Sequence, residues 1–146
     1  MRAERVRRVA TILVAYLFLI SACTGTQPAG GSSTGSAFAK NADGYADITV
    51  EQLAGMLEDK DFTLVNVHIP YEGDLPNTDL SIPFDEIQDH LELLPDKDAS
   101  IVLYCRSGGM STSAGKELAS LGYTNVMELD GGMRAWTAAG HELVSP

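Results

Sequence analysis

Three short runs, FTLVNV at 62–67, SIVLY at 100–104 and TNVMEL at 124–129, are rich in strand-forming apolar residues, and segments of helical spacing separate them. A strand that is apolar nearly throughout must be covered on both faces, whereas a half-exposed strand alternates. Strands of this kind, interleaved with amphipathic helices, restrict the chain to an α/β fold: a mostly parallel sheet flanked by helices on both faces. The helical segments are equally legible. In TVEQLAGMLED, Thr49 and Gln52 form a capping-box pair, and Val50, Leu53 and Leu57 share one face. PFDEIQDHLELLP places Phe84, Ile87, Leu91 and Leu94 at helical spacing, with acids opposite. Ala114, Leu118 and Leu121 form a third apolar face that Gly122 ends, and GGMRAWTAAG predicts a short last helix in which Trp136 packs into the core. A short strand over Tyr45 to Ile48 opens the domain.

The front of the chain has another character. Four arginines lie within the first eight residues, and a twelve-residue run from Val9 to Ile20, broken only by Thr11, follows them. That run is shorter than the roughly 20 residues of a permanent membrane span, and the layout is that of a cleaved export signal. The segment LISAC resembles a bacterial lipoprotein lipobox, which implies a signal peptide over 1–22 and lipidation of Cys23. Residues 23–44, rich in Gly, Ser, Thr and Ala, then form a flexible tether, and residues 45–146 form the folded domain. The expected location is the bacterial cell envelope, outside the cytoplasmic membrane, with the lipid chains as the membrane contact.

Removing the signal takes away Arg2, Arg5, Arg7, Arg8 and Glu4, so a formal net charge of −10 becomes −13. Such a surface repels nucleic acid, which is excluded as a partner. The chain has two cysteines, and lipidation consumes one. Cys105 is left without an internal partner, and in an exported protein a leftover thiol points to an intermolecular bridge or to reactivity. No pair of histidines has ligand spacing and the cysteines are far apart in sequence, so neither a metal centre nor a cofactor is expected.

Cys105 directly follows the strand IVLY and opens the loop CRSGGMS ahead of a helix. In parallel sheets ligands bind beyond the carboxyl ends of the strands, so this thiol stands at the functional edge. Glycines let successive N–H groups turn toward one point, and the following helix adds its positive end. Such a cradle lowers a thiol pKa from about 8.5 into the range of roughly 3.5–7.5. Arg106, Ser107, Gly108, Gly109, Met110 and Ser111 are the binding loop, with Arg106 supplying a cation, and the same cradle suits a bound anion or the outer sulfur of a persulfide.

Two pieces of the chain, CRSGGMS and LDGGMRAWTAAGHEL, resemble the active loop and the closing segment of a single rhodanese domain. The resemblance implies a sulfurtransferase. Cys105 is then the catalytic nucleophile, taking a sulfane sulfur as a persulfide and passing it to a thiophilic acceptor. Its partners are a small sulfur donor or a persulfide-carrying protein, and a thiol acceptor. Three departures concern the rim. Asn66 and His68 stand in NVH where many relatives have Asp-Val-Arg, and both are candidate pocket residues. HIPYEGDLPNTDLSIPF replaces a shorter connection, and Met110 stands where the loop often carries an arginine, which favours a neutral or protein-bound donor over thiosulfate. Related phosphatases need Cys-x5-Arg to clamp phosphate. Here the loop is one residue short and lacks that arginine, so phosphatase chemistry is not expected. The alternative function is a lipid-anchored binding module that uses the loop without turnover.

Overall fold

The computed structural model describes residues 38–145, so the segment read as an export signal, Cys23 and most of the segment read as a tether lie outside the described residues. Five parallel strands make one sheet in the order β1-β5-β4-β2-β3, with β1 at Ala46–Ile48, β2 at Thr63–Asn66, β3 at Leu80–Ser81, β4 at Ile101–Tyr104 and β5 at Val126–Leu129. Helices α1 (Val50–Leu57), α2 (Gly109–Ser120) and α3 (Gly132–Ala138) connect or follow them. The α/β class read from the apolar runs is the one observed.

Alternation along the strands splits the core in two. Ile101, Leu103 and Cys105 face one cluster with Val65, Val67, Ala114 and Leu118, under α2. Val102 and Tyr104 face the other, with Ile48, Leu53, Leu64, Met133 and Trp136, under α1 and α3. Each fully buried leucine or isoleucine in these layers contributes about 1.5–3 kcal/mol relative to exposure. The capping box is present as expected: Thr49 N donates to Gln52 Oε1 at 2.8 Å and Gln52 N to Thr49 Oγ1 at 3.3 Å.

Three features depart from the sequence reading. The segment read as a helix with apolar spacing from Phe84 to Leu94 is a 3-10 segment, Ile87–Leu93, kinked at His90. Ile87 and Leu94 are buried and Phe84 and Leu91 pack beside them, as the spacing implies. However, Glu86 offers no side-chain cap, and the backbone leaves helical φ/ψ at His90, which divides the run into two short turns. The long connection before it contains the edge strand β3, which two residues of pairing with β2 define and which has no apolar run to announce it. Upstream of Tyr45, Phe38 packs on the α1/α3 core and Asn41 Nδ2 donates to Asp47 at 3.0 Å, so part of the segment read as tether joins the fold.

That connection is held by polar groups from the sheet. Asn66 Nδ2 donates to Gly73 O at 3.0 Å and Asp74 Oδ1 at 2.9 Å, while Tyr104 Oη donates to Asp74 Oδ1 at 3.0 Å and accepts from Leu75 N at 3.0 Å. Among the described residues no helix is long and apolar enough to cross a membrane.

Candidate active site

Cys105 leaves the end of β4, the strand with β5 on one side and β2 on the other. The chain then reverses its peptide groups. Gly108, at φ 100°, is in a region that a side chain disfavours, and this turns its N–H onto the sulfur, 3.2 Å from Sγ. Ser111, in the first turn of α2, brings Oγ to 3.3 Å from the same sulfur. The carbonyls of Cys105 and Arg106 point the other way and accept from Met133 N at 2.9 Å and Arg134 N at 3.0 Å, in the first turn of α3. Gly132 makes that approach possible, because a Cβ there would lie 2.1 Å from Cys105 O. The second glycine of LDGG is thus a packing requirement of the cysteine loop, while a Cβ on the first, Gly131, would meet Ala135 of α3 at 2.8 Å.

Cys105 is 1% exposed. Burial alone would raise its pKa, but the hydrogen bonds from Ser111 Oγ and from the N–H groups of Ser111, Ser107 and Gly108 outweigh it, and the thiol lies below its ordinary value. The stabilisation expected of Arg106 has a different source. Its Nη1 lies 3.3 Å from Glu72 Oε1, so the guanidinium is engaged with a carboxylate, and the cradle acts through N–H and O–H groups.

The other expected residues divide between the loop and the connection. His68 does sit beside the loop, its Nδ1 3.4 Å from Met110 Sδ. Its buried Nε2 has no hydrogen-bond partner and lies 3.6 Å from Glu72 Oε2. Asn66 is fully buried, but its amide serves the 73–74 connection, and its Oδ1 accepts from His68 N at 3.0 Å, so it fixes His68 from behind. Ser107 and Gly109 are exposed, and Ser111 is buried against the sulfur.

Two residues of the site escaped the sequence reading. Glu72 bridges His68 and Arg106 across the rim from a segment whose path no local pattern reveals. Glu128 places Oε1 2.6 Å from Ser111 Oγ, and its one sequence signal is a lone acid inside an otherwise apolar strand. Among the described residues no three His, Cys, Asp or Glu side chains converge on a metal position.

Residues 49–139 match the rhodanese-like domain family. The chain is 36% identical over 104 residues to a sulfurtransferase of Allochromatium vinosum, an alignment that covers 68% of this chain and 95% of the relative. It is 26% identical over 109 residues to the thiosulfate sulfurtransferase GlpE of Pseudoalteromonas translucida, covering 68% of this chain and 96% of that one. The crystal structure of a rhodanese-like domain protein from Staphylococcus aureus superposes with a TM-score of 0.57 at 32% identity, over 68% of this chain and 98% of that one.

Proposed function

The chain belongs to the rhodanese-like domain family, and from that membership and the cradle around Cys105 we propose that it is a sulfurtransferase that carries sulfur as a Cys105 persulfide. The Cys105 thiolate attacks the sulfane sulfur of a donor. A new S–S bond forms on Cys105, and the donor leaves with the electron pair of the bond it loses. An acceptor thiolate then attacks the outer sulfur and Cys105 departs as thiolate, ready for the next donor. The observation that carries this reading is the set of hydrogen bonds on Sγ, which lowers the thiol pKa although the residue is buried. The same donors suit the persulfide anion, whose charge lies one sulfur further out.

The rim supports a particular donor class. Arg106 is the loop's one cation and Glu72 lies across it, while Met110 meets His68. A dianion such as thiosulfate gains little there, so the proposed donor is a small or protein-bound persulfide. The lipobox-like LISAC supports a domain tethered from a lipidated Cys23 in the cell envelope; with the chain's other cysteine lipidated, the proposed acceptor comes from outside this chain.

The experiment is the mass of the full chain after exposure to polysulfide and, separately, to thiosulfate, beside Cys105→Ala. We expect a reductant-reversible gain of one sulfur, greater with polysulfide and missing from the variant. In the same preparations the wild-type chain enters the detergent phase and Cys23→Ala stays aqueous. No sulfur on a folded chain from either donor would overturn the transfer reading in favour of the binding module.

A further inference from the structure

Glu128 is 2% exposed and lies on β5 in register with Leu103 of β4, on the same face of the sheet as Cys105. Burying a carboxyl there is costly unless it is paired or neutral. Among the described residues no cation pairs with it. Its register partner on β1 is Asp47, Asp130 follows two positions on, Lys116 of α2 is paired with Asp43 at 3.1 Å, and Arg106 is held by Glu72. On its remaining side stand Ser111 and, beyond it, Cys105. Burial raises the carboxyl pKa, the Ser111 hydrogen bond pulls it down, and Asp47 and Asp130 push it up again, leaving it at about 7.

The hydroxyl between the two groups has to choose. Ser111 Oγ lies 2.6 Å from Glu128 Oε1, 3.1 Å from Gly108 O and 3.3 Å from Cys105 Sγ, three acceptors for one proton. An ionised Glu128 captures that proton. A protonated Glu128 donates to Oγ and releases the hydroxyl proton to the sulfur.

We propose that Glu128 is a positioning residue for the chemistry of Cys105, acting through Ser111 as a relay that exchanges one proton between the buried carboxyl and the thiol. In one arrangement Cys105 is a thiol, Glu128 is a carboxylate and Ser111 donates to the carboxylate. In the other, the thiol proton has passed to Ser111 Oγ while the Ser111 proton has passed to Glu128. The sulfur is then the thiolate, Ser111 donates to it, and the one negative charge has moved from oxygen to sulfur with no atom gained or lost. Removing a second proton leaves two anions on either side of one hydroxyl, so that step is deferred to higher pH. The inference rests on the reading of Cys105 as nucleophile.

The test is the rate at which neutral iodoacetamide alkylates Cys105 as pH is raised, measured on the full chain, with the alkylated site identified by peptide mass so that Cys23 does not contribute. The wild type should show two steps. Glu128→Gln keeps an N–H donor on Ser111 at every pH and should give a single step, with its midpoint about one pH unit below the upper wild-type step. Ser111→Ala should raise the midpoint, and in that background Glu128→Gln should move it less than about half as far. A Glu128→Gln profile that superposes on the wild type, or shifts that add across the two substitutions, would overturn the relay.

A second measurement does not depend on those variants folding. The Glu128 carboxyl carbon, followed by NMR, should titrate lower in Cys105→Ala than in the wild type, and an unchanged titration would overturn the proposal. Alkylation needs no sulfur donor. An unchanged profile with a persulfide still formed removes the relay alone, and a two-step profile with no persulfide removes sulfur transfer alone.

Discussion

At the scale of single residues, the site is a contest between burial and hydrogen bonding at one sulfur. Cys105 was legible in sequence because a thiol between an apolar run and a glycine-rich loop has few structural uses, and the polar cradle follows from that position. What the pattern did not indicate is how closely the last helix approaches. Gly132→Ala would put a Cβ 2.1 Å from Cys105 O, and relief requires moving the loop or the first turn of α3. The backbone there is also at φ 54°. We expect a loss of about 2–4 kcal/mol, read as a lower urea midpoint, together with slower alkylation of Cys105 as the cradle loosens. A variant as stable and as reactive as the wild type would show that the carbonyl contact is dispensable.

At the scale of elements, local signals succeeded where they were self-contained. The Thr49/Gln52 box depends on four consecutive residues and is present. Thr49→Ala removes the acceptor for Gln52 N and should cost about 1 kcal/mol, a shift of the denaturation midpoint with no change in thiol reactivity, because α1 packs on the opposite face from Ser111. The 3-10 segment shows where local signals end. Apolar spacing correctly identified which residues turn inward, but helix type depends on caps and on an unbroken backbone. Here Glu86 gives no side-chain cap and the chain kinks at His90. Edge strand β3 was missed for a related reason: Leu80–Ser81 is extended because β2 stands beside it and the Asp79 carboxylate accepts from Leu64 N at 2.7 Å.

At the scale of the whole molecule, strand pairing sets a buried carboxyl beside exposed ones. Glu128 stands in register with exposed Asp47 because β1 pairs with β5 in parallel, exposed Asp130 follows two positions on, and like charges in register oppose each other. A carboxyl whose pKa is raised on folding binds more protons in the native state than in the unfolded state between its two titration points. Its contribution to stability therefore falls as pH rises from about 4.5 to about 7. Glu128→Gln abolishes that dependence. Relative to the wild type, the variant should gain stability on going from mildly acidic to mildly alkaline buffer, measured as the difference in urea midpoints at the two ends. A difference independent of pH would mean that Glu128 is already ionised in the acidic buffer.

The sequence by itself determined the class of fold, the order of its elements apart from edge strand β3, the N-terminal cap of its first helix and the position of the Cys105 thiol at a strand's carboxyl end. Each of these depends on neighbours along the chain, where periodicity and residue type act directly. Only the tertiary structure decided what the thiol faces. Glu128 reaches Ser111 because β5 lies beside β4 and its third residue points to the α2 side, and a shift of one residue would have turned it to the other core. Glu72 meets Arg106 because Asn66, Tyr104 and Leu75 anchor the connection over the rim. Such contacts join residues distant in sequence, and strand order and register, which no local pattern specifies, bring them together.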